Sequence, residues 1–273
     1  MQIVYLQFLK SKREDKMTKI FLLIGIFILV FSGICLSAEK DLVAYWNFDE
    51  GTGEIVKDVT GNKHDGKFVG TPKWVDGKYG KALEFDGKTS YIEVPHADDL
   101  AIETNLTFSA WFKPNVTINS TNYGYRLMTK NNDYFFLFNY KEGDRGLGNL
   151  GFLLKDPKGV NHVAHSVTGE WIAGTWYHAV GTFDGKQIKI YINGVLEATT
   201  DYVGTIGNSK LTLWIGADDA PSYFPGVIDE VRVYKATATD AEVKQIMAGP
   251  SGTSAVDFER SVTTSWGKIK ETR

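Results

Sequence analysis

The chain has 273 residues with 30 basic and 33 acidic side chains, a net charge of −3. Residues 1–38 hold five of the basic and two of the acidic side chains, so the remainder carries 25 basic and 31 acidic side chains, a net charge of −6. This balance argues against nucleic acid as a partner, because phosphate binding needs a basic face. Without residues 1–38, which contain the single cysteine, Cys35, the chain has no cysteine for a disulfide, and we expect a sizeable hydrophobic core to stabilise one domain.

The N-terminal region has the pattern of a secretory signal. Residues 20–34 are apolar or small and uncharged, they follow Lys19, and Leu36-Ser37-Ala38 comes shortly after them. A basic flank, a short apolar segment and a small-residue exit are typical of such signals, and the run is short for a membrane span. We therefore expect residues 1–38 to be a signal region, with Met17 as an alternative start, and the protein to be secreted or held at the cell surface.

Short strands are predicted from residue 41 to residue 234. The runs alternate between apolar and polar residues and are separated by Gly, Asn, Asp or Pro, which is typical of a sandwich or barrel. The phrase Phe-Asp-Gly-Lys occurs twice, at residues 85–88 and 183–186, and an Asp-Gly pair favours a tight hairpin. The sequence predicts an all-β fold with these strands: 42–48, 82–85, 91–94, 106–112, 135–138, 151–154, 177–183, 187–192, 211–215 and 226–234.

One short helix is predicted after the last strand. Thr239 and Glu242 have the spacing of a capping box, which would open a helix over residues 241–247 that Gly249-Pro250 would stop. We expect a domain over residues 39–249, followed by a C-terminal tail over residues 250–273.

Several phrases carry a family resemblance. In this order and spacing they resemble the laminin-G-like jelly-roll domain of the concanavalin A-like lectin/glucanase superfamily, over roughly residues 41–248. The resemblance implies two stacked antiparallel sheets in jelly-roll order, often a calcium ion, and binding of glycans or proteins. It does not identify the ligand, because a fold does not determine a function. The phrases are Ala-Tyr-Trp-Asn-Phe-Asp-Glu-Gly-Thr-Gly (44–53), Asp-Val-Thr-Gly-Asn (58–62), Gly-Lys-Ala-Leu-Glu-Phe-Asp-Gly (80–87), Tyr-Ile-Glu-Val (91–94), Thr-Phe-Ser-Ala-Trp-Phe (107–112), Thr-Trp-Tyr-His-Ala-Val-Gly-Thr-Phe-Asp-Gly (175–185), Tyr-Ile-Asn-Gly (191–194) and Ile-Asp-Glu-Val-Arg-Val-Tyr (228–234).

A catalytic site is not predicted. Glycoside hydrolases that resemble this fold place two carboxylates on one strand in a Glu-x-Asp-x-x-Glu or Glu-x-Asp-x-Glu spacing, and no such phrase occurs. Asp229 and Glu230 are adjacent, so on a regular strand they would project to opposite faces. The sequence thus favours a protein that is not an enzyme.

A structural calcium ion is the cofactor considered. Asp58 and Asn62 lie in a compact, oxygen-rich loop, and calcium prefers carboxylate, amide and carbonyl oxygens. The resemblance implies that an ion would tie this loop to the final strand, where Asp229 lies. In the alternative, Asp58 and Asn62 form an Asx turn and Asp229 accepts backbone hydrogen bonds.

Aromatic residues are candidates for contact with sugars, whose C–H faces stack on aromatic rings. Four tryptophans alternate with apolar strand residues and are expected in the core: Trp46, Trp111, Trp176 and Trp214. Aromatic residues in loops are the predicted ligand-binding set: Trp74, Tyr123, Tyr134, Trp171 and Tyr223. In the alternative, each of these only covers a loop or an edge.

The sequence therefore leads to a ranked set of functional hypotheses. The first is an exported, non-catalytic module that binds a polysaccharide or glycan and holds a structural calcium ion. The second is a protein-interaction or cell-surface scaffold domain with a surface protein as its partner. A polysaccharide hydrolase or lyase comes third. Neither nucleic acid nor membrane insertion after signal removal is expected.

Overall fold

The computed structural model describes residues 41–121, 124–138, 148–218 and 222–249. The chain divides into two compact units, and the second begins at Leu42. The predicted signal region, Tyr123 and the predicted tail lie outside the described residues. Within the described ranges, no helix is both long enough and apolar enough to cross a bilayer.

The described residues form 16 strands, one α-helix and one 3₁₀ turn, Asp98–Leu100. The helix, α1, spans Asp240–Met247. The strands are β1 (Leu42–Trp46), β2 (Ile55–Val56), β3 (Gly66–Val69), β4 (Lys73–Asp76), β5 (Lys81–Asp86), β6 (Tyr91–Val94), β7 (Leu106–Pro114), β8 (Arg126–Lys130), β9 (Tyr134–Phe138), β10 (Leu150–Lys155), β11 (Asn161–His165), β12 (Tyr177–Phe183), β13 (Gln187–Ile192), β14 (Val195–Asp201), β15 (Leu213–Ile215) and β16 (Pro225–Tyr234).

These strands build two antiparallel sheets. Sheet A has the order β14-β13-β12-β7-β16-β5-β4, and β1 also pairs with β16. Sheet B has the order β11-β10-β9-β8-β15-β6-β3-β2. Neighbouring strands in a sheet are often far apart in the sequence, because the chain crosses between the sheets several times. The prediction of an all-β, two-sheet jelly-roll sandwich is confirmed.

The core lies between the sheets and is rich in aromatic rings. Phe108 of sheet A stacks on Phe136 of sheet B, with ring centroids 5.5 Å apart and planes within 3° of parallel. Gly181 on β12 faces the same interior, and a Cβ atom there would overlap the ring of Phe152. Close approach of the sheets at this point therefore requires glycine. Trp46 is fully buried in this core, as expected.

The two Asp-Gly turns have different roles. Asp184-Gly185 joins β12 to β13, which pair as neighbours in sheet A, so this turn is the expected hairpin. Asp86-Gly87 follows β5 of sheet A, but the next strand, β6, belongs to sheet B. The expected hairpin at Asp86 is wrong, because this turn passes the chain from one sheet to the other.

Helix α1 begins with the predicted capping box. The Thr239 side chain accepts a hydrogen bond from the backbone N–H of Glu242, and the Glu242 carboxylate accepts one from the backbone N–H of Thr239. Val243 of the helix packs against Val180 and Tyr191. Those two residues alternate with core residues of sheet A, so the helix covers part of the outer face of that sheet.

Candidate functional site

Two of the predicted ligand-binding aromatics are fully buried. The Tyr134 hydroxyl donates to the carbonyl of Leu100, 2.9 Å away, and burial raises the pKa of Tyr134 well above its ordinary value. The indole N–H of Trp171 donates to the carbonyl of Gly148, 2.7 Å away. Both rings belong to the core. This corrects the surface position expected from the sequence, because neither ring presents a face to a ligand.

Trp74 and Tyr223 are partly exposed. Trp74 lies on β4, packs against the core and donates its indole N–H to the carbonyl of Gly53, 3.0 Å away. Tyr223 lies just before β16, beside Tyr91, with ring centroids 6.2 Å apart. The structure therefore separates the predicted aromatic set: Tyr223 lies at the outer face of sheet B, whereas Trp74 packs on the edge of sheet A.

The predicted calcium loop is organised by its own hydrogen bonds. One oxygen of Asp58 accepts from the backbone N–H groups of Tyr45 and Thr60 and from the Thr60 hydroxyl, at 3.2, 3.0 and 2.7 Å. The other accepts from the N–H of His64, at 3.1 Å. The amide of Asn62 donates to the carbonyl of Val43, at 2.8 Å. These contacts form the Asx-type turn that was the alternative to a calcium site in this loop.

Asp229 binds a different part of the chain. One of its carboxylate oxygens accepts from the backbone N–H groups of Lys78 and Tyr79, at 2.8 and 3.1 Å. Asp58 and Asp229 thus serve separate loops, and both oxygens of Asp58 and one oxygen of Asp229 accept from N–H donors. The described residues also contain no group of three or more His, Cys, Asp or Glu side chains placed to hold a metal. This arrangement does not fit a calcium ion shared by the two carboxylates.

A β-bulge changes the expected directions of Asp229 and Glu230. Asp229 pairs with Trp111, and Arg232 pairs with Ser109. β16 therefore has two residues, 230 and 231, between these pairs, where β7 has one. Glu230 sits in this bulge with φ of 56°. Both carboxylates therefore face outward from sheet A, and the expectation that they project to opposite faces is wrong.

Glu230 is held by a buried ion pair. Its carboxylate contacts the guanidinium of Arg232 and accepts a hydrogen bond from the Tyr45 hydroxyl, 2.7 Å away. The guanidinium lies 4.2 Å from the Tyr45 ring centroid and donates to the carbonyl of Ile246 in helix α1, 3.3 Å away. These contacts leave Glu230 1% exposed. Arg232 thus links the helix to the sheet, and the Glu230 carboxylate that pairs with it is not accessible for acid–base chemistry.

A row of polar side chains lies beside this ion pair. Trp111 on β7 pairs with Asp229 on β16 and with His178 on β12. Several buried atoms in the row have no hydrogen-bond partner among the described residues: the indole nitrogen of Trp111, both ring nitrogens of His178 and Oδ1 of Asp229. Burial raises the pKa of Asp229 from 3.8 to about 7 and lowers the pKa of His178 from 6.5 to about 3. Burial therefore favours the uncharged form of both groups.

An aromatic cluster lies on the outer face of sheet B. It consists of Tyr91 on β6, Trp214 on β15 and Tyr223, and we call it the aromatic platform. The ring centroids of Tyr91 and Trp214 are 4.7 Å apart, and those of Tyr91 and Tyr223 are 6.2 Å apart. All three rings are partly exposed. The strand neighbours Leu213 and Ile215 point into the core, so Trp214 points outward.

Polar groups surround the platform. Glu93 and Thr129 are the cross-strand partners of Trp214 on β6 and β8. Within the described residues, neither the indole nitrogen of Trp214 nor the hydroxyl of Thr129 has a hydrogen-bond partner. Partial burial, with the charge of Glu93, raises the pKa of Tyr91. Both of these atoms are buried, so the partly exposed rings, with a carboxylate at their side, are what the platform offers to a polyhydroxylated ligand.

A polar cavity of about 650 Å³ lies where four connections meet at one end of the sandwich. Its side chains include Glu103, Asn132, Asp133 and Lys155. The ammonium of Lys155 donates to the Asn132 side chain, 3.0 Å away, and Asp133 accepts from Ser209. No aromatic side chain lines this cavity, so it lacks a stacking surface.

The sequence contained a partial signal for the platform. In the run at residues 211–215, Leu213 and Ile215 alternate with Thr212 and Trp214, and this alternation already puts Trp214 on the face opposite the core residues. Trp176, just before β12, is also partly exposed. The expectation that Trp176 and Trp214 belong to the core is wrong. Trp111 is buried, but it lies on the outer face of sheet A.

Sequence comparison gives one family match. The model of the concanavalin A-like lectin/glucanases superfamily matches residues 86–244. A search of curated protein sequences finds no relative.

Solved structures share the fold. Domain 4 of AbnA, a GH43 extracellular arabinanase from Geobacillus stearothermophilus, in complex with arabinotriose, has a TM-score of 0.60 and 24% identity, covering 76% of this chain and 98% of that domain. The binding domain of Paraclostridial Mosquitocidal Protein 1 has a TM-score of 0.62 and 18% identity, covering 77% of this chain and 52% of the other. The binding domain of botulinum neurotoxin DC, in complex with rat synaptotagmin II, has a TM-score of 0.61 and 16% identity, covering 79% and 53%. The present chain thus spans about half the length of these two toxin domains.

Proposed function

Because the chain belongs to the concanavalin A-like lectin/glucanase superfamily, we propose that it is an exported, non-catalytic module that binds carbohydrate. The observation that carries this proposal is the aromatic platform on sheet B. Three partly exposed rings on one face offer the stacking surface that the apolar side of a sugar needs. The complex of arabinanase domain 4 with arabinotriose supports a sugar ligand for this fold.

The contacts of the acidic residues support a non-catalytic role. Glu230 is bound to Arg232 and Tyr45 under helix α1, and Asp229 holds the loop at Lys78 and Tyr79. A retaining or inverting glycosidase needs two carboxylates that reach the same sugar. Purified protein that cut a polysaccharide, with activity lost in Asp229→Asn, would overturn this part of the proposal.

The binding test compares variants on the two sheets. Arabinotriose, arabinan and a panel of neutral plant polysaccharides are probed by isothermal calorimetry and affinity electrophoresis. We expect at least one neutral glycan to bind, Trp214→Ala to weaken binding at least tenfold, and Trp214→Phe to retain most of it. Trp176→Ala, a partly exposed tryptophan on the other sheet, is the matched control and should bind normally. Absence of binding to every glycan, or equal binding by Trp214→Ala, would refute the platform.

A protein-binding scaffold is the second candidate function. Exposed valines lie at the ends of two edge strands: Val167 follows β11, whereas Val195 and Val203 lie at opposite ends of β14, and the three are 77%, 64% and 82% exposed. Exposed apolar side chains near sheet edges are sites at which proteins associate. Analytical ultracentrifugation and pull-down with Val195→Lys and Val203→Lys variants test this. A partner lost by these variants, with glycan binding unchanged, would favour the scaffold.

A further inference from the structure

A second aromatic surface, with Trp176 partly exposed and Trp111 buried, lies on the outer face of sheet A. The pairing of Tyr177 on β12 with Phe112 on β7 places the next residues, Trp176 and Lys113, side by side. Phe112 points into the core, so Trp176 and Lys113 point outward. Trp111 lies two positions before Lys113 on β7, so it is on the same face of the sheet. We call Lys78, Trp111, Lys113 and Trp176 the indole–lysine surface.

A lysine ammonium lies over the ring of each indole of this surface. The Lys113 nitrogen lies 4.9 Å from the ring centroid of Trp176, and the Lys78 nitrogen lies 4.4 Å from that of Trp111. The two indoles meet edge to face, with centroids 6.5 Å apart and planes at 84°. A cation above an indole is attracted to the ring. The four side chains thus form a continuous patch.

The two ammonium groups have no carboxylate partner. The ion pairs of the described residues include Lys57, Lys81, Lys130 and Lys210, but neither Lys78 nor Lys113. Glu84 lies across β16 from Lys113 and accepts a hydrogen bond from Asn115, 2.7 Å away. Asp229, also beside this surface, is buried, and burial raises its pKa to about 7. A local positive charge therefore remains on a protein whose net charge is negative. A single carboxylate would be attracted to these two ammonium groups, whereas a long polyanion would be repelled by the acidic side chains on the rest of the protein surface.

Buried polar atoms without a hydrogen-bond partner among the described residues lie beside this patch. They are the indole nitrogen of Trp111 itself, the two ring nitrogens of His178 and Oδ1 of Asp229. Water would satisfy them, since the set contains both donors and acceptors. The partly exposed ring of Trp176 and the two ammonium groups thus have polar neighbours on the same face of the sheet.

We propose that the indole–lysine surface is a second saccharide-binding site, selective for a sugar unit that carries a carboxylate, such as a uronate. The apolar side of the sugar stacks on Trp176, and its carboxylate pairs with Lys113 and Lys78. This site extends the proposed carbohydrate binding but does not depend on the aromatic platform, since the two surfaces lie on different sheets.

The experiment uses oligogalacturonides and their neutral galactose counterparts. Binding is measured by calorimetry at low and high salt, with the full-length protein. We expect the acidic oligomers to bind at least tenfold more tightly than the neutral ones, and this preference to shrink at high salt because the charges are partly exposed. Trp176→Ala and Lys113→Gln should each weaken binding at least fivefold, and Lys113→Arg should retain it.

Controls separate this proposal from the proposed function. Trp214→Ala should bind the acidic oligomers like the parent protein and lose only neutral glycans. Melting temperatures within a few degrees of the parent show that the variants are folded. The proposal is overturned if acidic and neutral oligomers bind equally, if neither binds, or if Trp176→Ala and Lys113→Gln bind as the parent does. Failure of the platform would instead appear as neutral-glycan binding that Trp214→Ala leaves intact.

Discussion

Asp229 and His178 flank Trp111 on the two strands that border β7, and the pKa values of the two residues are displaced in opposite directions. The pKa of Asp229 is raised to about 7 and that of His178 is lowered to about 3, both by burial. Between about pH 4 and 6.5 the folded state keeps a proton on Asp229 that the unfolded state has lost. In the same range the unfolded state binds a proton on His178 that the folded state excludes. The two effects on stability oppose each other.

This opposition predicts different pH profiles for single variants. In His178→Phe only the Asp229 effect remains, so the free energy of unfolding should fall as pH rises from 4 to 7. In Asp229→Asn only the His178 effect remains, so it should rise from pH 4 to 6.5. Each slope should approach about 1 kcal/mol per pH unit. Urea unfolding at several pH values measures this, and identical profiles for parent and variants would contradict it.

The ion pair between Glu230 and Arg232 should be costly to break. Glu230→Gln leaves the Arg232 guanidinium buried without its carboxylate, and we expect a loss of about 3–5 kcal/mol in unfolding free energy. The double variant Glu230→Met, Arg232→Met should lose less than the sum of the two single changes, because no uncompensated charge remains. A Glu230→Gln protein within 1 kcal/mol of the parent would show that the pair does not stabilise the fold.

Asp58 should stabilise its loop without calcium. Asp58→Ala removes four hydrogen bonds and should lower the unfolding free energy by about 2–3 kcal/mol, equally with calcium and with a chelator. Asn62→Ala removes one bond and should cost about 1 kcal/mol. Thermal melting checks both changes. If calcium raised the melting temperature of the parent protein by several degrees but left that of Asp58→Ala unchanged, this prediction would be wrong and the loop would bind calcium.

Trp214 should matter for binding more than for stability. Its ring is partly exposed and lies outside the core, so Trp214→Ala should cost about 1 kcal/mol of stability, chiefly from lost stacking on Tyr91. Phe136→Ala, in the core, should cost about 3–5 kcal/mol. Denaturant unfolding compares the two. A Trp214→Ala loss as large as that of Phe136→Ala would mean that the indole has a structural role.

The close contact between the sheets gives a prediction for glycine. A side chain at Gly181 would overlap the ring of Phe152, so Gly181→Ala should lower the unfolding free energy by about 1–3 kcal/mol. The pair Gly181→Ala, Phe152→Leu should recover part of this loss, since leucine leaves room for the methyl group. Failure of the second change to recover any stability would show that the backbone at Gly181, not the ring, limits the substitution.

Alternation of apolar and polar residues in many strands predicted an all-β sandwich or barrel, and the family resemblance implied two stacked sheets. The helix could be predicted because the capping box of Thr239 and Glu242 is a local signal. The crossing at Asp86 could not be predicted, because an Asp-Gly turn has the same local chemistry whether the next strand pairs in the same sheet or in the other. The bulge at Glu230 also left no local signal, since the side chain of Glu230 meets Tyr45 of β1, which lies far away in the sequence.

The candidate surfaces were harder to predict. Alternation could have placed Trp214 outward, but it does not reveal that Tyr91 and Tyr223 come beside it from two other segments. Trp171 has a loop-like sequence context, and only the surrounding rings of the core show why it is buried. Contacts between segments that are distant in the sequence decide whether each aromatic ring is buried or exposed, and these contacts cannot be predicted from local patterns in a single sequence.

The position of β16 has a consequence for the order of folding. This strand lies between β7 and β5 and also pairs with β1, yet it is the last strand of the domain to leave the ribosome. Sheet A cannot close until residue 234 has been made, and such pairings between distant segments form slowly. A nascent chain of this protein should therefore remain open to chaperones until β16 has been made.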